Sequence, residues 1–284
     1  MSYTNFRGLL TALDGYIDEL SPYTVDLNNT LFPRLPLELR ELIYRYIAHP
    51  PHQRGPRRTY VSRHAGGALP PWRPLWLPTI CSVNWATWIE AGLYVIRSTE
   101  FEIMYPDNLD YFAKFLDTFP GEQGWTAVRR LYFTLFDRNG VFHAKRNGYI
   151  DFMHRCTGLT EVTLKFNVRK LLDKQTVLLP YVALAHMNIS QSAGFLTLDE
   201  VTAMHGLEAI FEVSSLNKVY IDVFPRIYLH AEGLADGVLM DGMELIEELA
   251  EWMREGFRRR GRSAAVVVRE VRTEGLTWDS LWFI

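Results

Sequence analysis

A chain of 284 residues and 32.9 kDa, 48% hydrophobic and 22% charged, has the composition of a folded protein and the length to bury a core without staples. Its net charge of −3 excludes a globally basic nucleic-acid coat, and two cysteines, Cys81 and Cys156, exclude a disulfide scaffold or a four-cysteine zinc site. No apolar run approaches the roughly 18 residues of a membrane span, and the acidic start (Asp14, Asp18, Glu19) does not read as a secretory signal, so the expected setting is intracellular, cytoplasmic or nuclear.

Apolar residues Phe6, Leu9, Leu10, Leu13, Ile17 and Leu20 recur at three and four, predicting a helix over 5–20 that stops at Ser21-Pro22. A second amphipathic stripe, Leu35, Leu39, Leu42, Ile43, Tyr46 and Ile47, predicts a helix with Pro36 in its first turn, ended by Pro50-Pro51. Residues 50–75 hold six prolines and three glycines and read as a long projecting loop, whose removal over 52–70 is expected to leave the fold intact. No acid occurs between Leu42 and Ile89, whereas Arg54, Arg57, Arg58 and Arg63 fall there, so any function of this loop is to engage an acidic partner. A further helix is predicted over 78–95, packed on the helix of 31–48 through Leu39, Ile43, Trp85 and Trp88.

The second half carries a weak internal repeat. The pattern apolar-x-x-apolar-x-apolar recurs from Val128, Leu159, Leu184 and Leu216, at offsets of 31, 25 and 32 residues. Asn167 completes one leucine-rich-repeat unit, L-x-x-L-x-L-x-x-N. Alternation within the units predicts strands near 101–104, 131–135, 162–166, 187–190, 219–223 and 265–271, with helical spacing between them. Strand followed by helix, repeated, predicts an α/β fold with a mainly parallel sheet. Whether this is a true leucine-rich repeat or an ordinary α/β sheet is left open by the irregular periods. The last helix, through DGMELIEELAEWMREGFRRRGR, carries acids early and arginines late, which suits its dipole and gives the basic run a structural reason.

Chemistry-bearing motifs do not stand out. There is no G-x-G-x-x-G, Walker loop, G-x-S-x-G elbow or H-E-x-x-H, so no catalytic, cofactor or metal residue is assigned. His49 and His52 lie in a proline-broken stretch without carboxylates, and Cys156, with His154 nearby, reads as a small buried hydrophobe at a helix end.

The string Leu35-Pro36-x-Glu38-Leu39-x-x-x-Ile43-Tyr44-x-x-Ile47 resembles the F-box opening, and with Arg40 and Tyr44 it is most similar to the LPxELRxxIY of fungal F-box-like proteins. LPTICSVNWATWIEAGLYVIRSTEFEI resembles their second block, and the similarity extends over about residues 31–136. The inserted stretch 49–75 departs from the family, whose helices stay close together. The resemblance implies an F-box-like module over 31–96 with the basic Pro/Gly-rich loop 49–75 inserted, set between the helical extension over 1–30 and the repeat-like α/β domain over 97–284 that the periodicity predicts. It implies a protein-binding role: Leu35, Pro36, Leu39, Ile43, Tyr44 and Ile47 would meet a Skp-type adaptor, making the chain a substrate-receptor subunit of an SCF-type ubiquitin ligase. The alternative is an F-box-like scaffold without adaptor binding, and behind it a nucleic-acid binder using the basic loop.

Overall fold

Period-two alternation builds the centre of the molecule. In TEFEI, EVTLKFN and KVYIDVF, every second residue is apolar and buried while its neighbours are polar or aromatic, the pattern of strands with one face turned to a core. The computed structural model describes residues 35–48, 57–62, 74–138, 147–172, 194–224, 226–229 and 238–271. Its strands are β1 (Arg57–Tyr60), β2 (Thr99–Ile103), β3 (Arg130–Phe133), β4 (Glu161–Asn167), β5 (Lys218–Phe224), β6 (Arg226–Leu229), β7 (Val238–Asp241) and β8 (Ala265–Glu270). Six of them form one sheet in the order β1-β2-β3-β4-β5-β8, every neighbouring pair parallel, while β6 and β7 pair antiparallel apart from it. The chain divides into two units, residues 1–43 and 44–284, and the sheet belongs wholly to the second.

The helices are α1 (Leu37–Ala48), α2 (Trp85–Ser98), α3 (Pro106–Leu116), α4 (Gln123–Ala127), α5 (Gly148–Arg155), α6 (Leu198–His205) and α7 (Met243–Arg259). Their starts are written in the sequence. Asn84 accepts from the Thr87 N–H at 2.8 Å, Asn147 caps α5 through the Tyr149 N–H, and Thr197 forms a capping box with Glu200. Gly206, at φ 60°, ends α6 in the left-handed conformation that a side chain would strain.

Each new strand of the sheet is added at the same edge. Crossovers of one hand that always advance in one direction stay on one face, and the ring contacts agree. Phe101 of β2 meets Phe112 of α3 at 4.6 Å, Phe133 of β3 meets Tyr149 of α5 at 4.6 Å, and Phe166 of β4 meets His205 of α6 at 5.8 Å. All three strand residues share one face by register. The core rows are Phe101–Leu131–Val162–Val219–Val266 and Ile103–Phe133–Leu164–Ile221. Leu249, Met253 and Phe257 bury the apolar side of α7; Arg258 and Arg259 pair with Glu255, Arg260 lies over the Phe211 ring and Arg262 donates to the Phe211 and Leu216 carbonyls, so the basic run is engaged within the fold.

Three expectations need correction. The stretch 49–75 is not simply a projecting loop: it supplies β1, parallel to β2, and Val61, whose N–H donates to Glu102 O at 2.9 Å and whose side chain is fully buried. Proline density hid a four-residue strand that, among the described strands, lies at the edge of the sheet, the position where breakers nearby are tolerated. The sheet therefore begins before residue 97. Leu39 and Trp85, assigned to a helix–helix contact, are both exposed, and Trp88 instead fills the core against Phe115 and Phe119. The strand expected near 187–190 and the helix over 5–20 lie outside the described residues.

Candidate binding surfaces

The face of the sheet turned away from the helices is polar and aromatic by register. Across the strands run Arg58–Glu100–Arg130–Glu161–Lys218, then Tyr60–Glu102–Tyr132–Thr163–Tyr220, then Lys165–Asp222–Arg269. In the first row the charges alternate, which stabilises the sheet through cross-strand pairs: Arg58 Nε donates to Glu100 at 2.8 Å, and Arg130 donates to the Ser98 carbonyl. The guanidinium of Arg58 also lies 4.1 Å from the centre of the Tyr132 ring, and that of Arg269 lies 3.9 Å from the Tyr220 ring. Thr134 donates to Glu102 at 2.9 Å. Burial pushes the Tyr132 phenol well above its ordinary pKa, and the neighbouring Asp222 carboxylate, which it bonds, adds to the shift. The middle of this face is buried, at Tyr132, Thr163 and Asp222, so what it offers a partner is its edges: Arg58 and Tyr60 on one side, exposed, and Tyr220 and Arg269 on the other, half-buried. Tyrosine and arginine are enriched at the centres of protein interfaces.

The second surface is α1. Tyr44, 1% exposed, packs its ring 5.9 Å from Tyr94 and donates from its hydroxyl to Glu90 at 3.3 Å. Away from that anchor, Leu37, Leu39, Leu42, Tyr46 and Ile47 are 40–64% exposed. Leu39, Leu42 and Tyr46 follow one another at three and four, so they form a stripe along one side of the helix.

Of the residues assigned to adaptor binding, Pro36, Leu39 and Ile47 are exposed, Leu35 and Ile43 are half-buried, and Tyr44 is turned into the protein. Among the arginines assigned to an acidic partner, Arg58 is committed to Glu100 and Tyr132, Arg57 lies on β1, and Arg54 and Arg63 fall outside the described residues. The exposed Leu42 and Tyr46, and the whole open face, were missed as site residues. Their signal was present in the alternation of the strands, but which strands stand side by side is not a local property.

Ligand crevices of open α/β sheets form where the strand order reverses, and among the described strands of this sheet it never does. Cys156 is fully buried and burial raises its thiol pKa strongly, while the Cys81 thiol is pushed up to about 12, so neither is a thiolate at neutral pH. No described helix is long and apolar enough to cross a membrane.

No family model, curated protein or solved structure matches the chain. The resemblance to F-box-like proteins rests on the motif residues themselves.

Proposed function

We propose that the chain is a protein-binding subunit of the F-box-like kind, a substrate receptor that presents α1 to a Skp-type adaptor and the open face of the sheet to its target. The observation that carries the reading is the exposed stripe Leu39–Leu42–Tyr46 on a helix fastened from its other side by Tyr44. A twelve-residue helix is too short to be stable alone in water, and burying a leucine side chain contributes about 1.5–3 kcal/mol. A stripe left open on so short a helix is therefore a strong site for a partner. The repeat-like sheet, with its tyrosines and arginines in rows, suits recognition of a protein rather than turnover of a small molecule.

The test is a binding measurement between the full chain and a purified Skp-type adaptor, with Leu39→Asp and Leu42→Asp together as the variant. Saturable binding that the double variant loses, with unchanged thermal unfolding, supports the receptor reading. Absence of binding by the wild-type chain sinks it. The second reading, a binding protein without adaptor contact, is favoured by β1: the segment between the two motif blocks feeds the edge of the sheet instead of closing a helical module.

A further inference from the structure

Among the described strands, β8 has β5 as its one neighbour. The Ala265 N–H donates to Asn217 O and the Val271 N–H to Val223 O, both at 2.9 Å. Odd-numbered residues of β8 therefore bond inward, and the N–H and C=O groups of Val266, Val268 and Glu270 point outward. Val266 O accepts from Arg254 at 3.2 Å, while among the described residues the outward groups of Val268 and Glu270 have no hydrogen-bond partner. The opposite edge is of another kind. β1 is four residues long and carries Arg57 and Arg58, charges that discourage a further strand. β8 is six residues long and presents Val266, Val267 and Val268 in succession, the last two half-buried.

We propose that β8 pairs antiparallel with β8 of a second copy, about a two-fold axis at Val267, so that two sheets join edge to edge. Such an axis, perpendicular to the sheet, sets each residue opposite one on the same face, and outward backbone groups must meet outward groups. Charge then selects among the registers that remain. With the axis at Val267, this residue faces itself, Val266 faces Val268 of the copy, and Arg269 and Glu270 fall opposite the small Ala265 and Ala264. With the axis at Val268, valines face Arg269 and Glu270; with the axis at Arg269, arginine faces arginine, which repels. The helix beside the edge agrees with the same axis. The Arg254 bond to the outward Val266 carbonyl puts that side of α7 at the edge, one residue from the axis. Glu247, Glu251, Arg254 and Arg258, spaced four, three and four, line it with acids first and arginines last. The copy's helix runs the opposite way, so its arginines face these acids. A carbonyl oxygen has two acceptor positions, so the Arg254 bond and a cross-strand bond to Val266 coexist. This inference does not rest on the receptor reading, since it concerns the edge of the sheet and not α1.

The experiment is sedimentation velocity of the full chain over a concentration series, beside the variants Val267→Lys and Val267→Glu. Val267 is half-buried at the edge, so both variants should fold, which thermal unfolding checks. Wild type is expected to pass from monomer to dimer within about 1–100 µM, the weak association of a small interface. Each variant sets like charges against each other at the axis and should weaken association at least about tenfold. An equimolar mixture of the two should restore it as a heterodimer, because lysine then meets glutamate. A contact through any other surface does not bring position 267 against itself. Hydrogen exchange gives a second measure on the unaltered chain: the Val266 and Val268 amides should gain protection as concentration rises. Wild type that stays monomeric throughout the series overturns the proposal. So does a dimer that the variants leave unchanged, or one that their mixture fails to restore.

Discussion

Tyr44 and Glu90, 46 positions apart, are joined by a hydrogen bond of 3.3 Å from the tyrosine hydroxyl, beneath a fully covered ring. The ring carries more of the energy than the hydroxyl. Tyr44→Ala is expected to cost about 3–5 kcal/mol, as large aromatic truncations do, and Tyr44→Phe about 1 kcal/mol. Urea unfolding of the two variants checks the ratio; equal losses would mean that the hydrogen bond and not the packing holds α1.

On the open face, Asp222→Asn should loosen β8. The carboxylate is 8% exposed and serves both Tyr132 and Arg269, which also reaches Thr163 at 3.4 Å. Because Arg269 is 39% exposed and retains water, the loss should be about 1–3 kcal/mol and not the larger value of a fully buried pair. The observable is a lower urea midpoint at constant slope.

His205 sets an acid limit on stability. It is 1% exposed between Phe136 and Phe166, neither ring nitrogen has a hydrogen-bond partner among the described residues, and burial lowers its pKa to about 4. Above about pH 6.5 the ring is neutral in both folded and unfolded chains and contributes no pH dependence. As pH falls from there toward 4 the unfolded chain takes up a proton that the folded one refuses, so stability drops by about 3 kcal/mol in all. His205→Leu should flatten the stability profile in this window relative to wild type; parallel profiles would show that the ring titrates normally.

Removing residues 57–61 should destabilise the protein, against the expectation for a free loop. Val61→Ala alone should cost about 1–2 kcal/mol, the transfer value of the lost methyl groups, because Val61 is fully buried. A thermal midpoint unchanged by the deletion would return this segment to the status of a dispensable insertion.

Two glycines give opposite expectations. A Cβ on Gly256, inside α7, would run into the ring of Phe211, which is itself packed against Trp252 and Phe257. The helix propensity gained by alanine is at most about 1 kcal/mol and overpacking costs about 1–3 kcal/mol, so Gly256→Ala should lower the melting temperature. Gly148, at the start of α5 with nothing within 4 Å of such a Cβ, should gain stability from the same change. Matching signs at the two sites would refute the packing argument.

The strands near residues 101, 131, 162, 219 and 265 were legible because each alternates on its own, and their parallel pairing followed from the long gaps between them. The amphipathic α1 and the acid-to-base gradient of α7 were legible for the same local reason. β1 was not, since RRTY has no apolar alternation and owes its conformation to the ladder offered by β2. Nor could the helical stripe of 35–47 tell inside from outside: Tyr44 lies off that stripe yet is the buried residue, while Leu39 and Leu42 on it are exposed. The open-face site is a property of register across strands 30 to 57 residues apart, so it became visible only with the sheet assembled.

Because every strand of the main sheet is added beside its predecessor, the sheet can lengthen without being rewired. Insertion of one further strand–helix unit between β5 and β8 would widen the outer face by one strand spacing, about 4.8 Å, and leave all existing neighbours but one in place. An architecture of this kind also matures in the order of synthesis: the first four strands can pair before Lys218 has left the ribosome, each closing only a modest loop. Its growing edge is then always the most recently made strand, and β8 is the last of them.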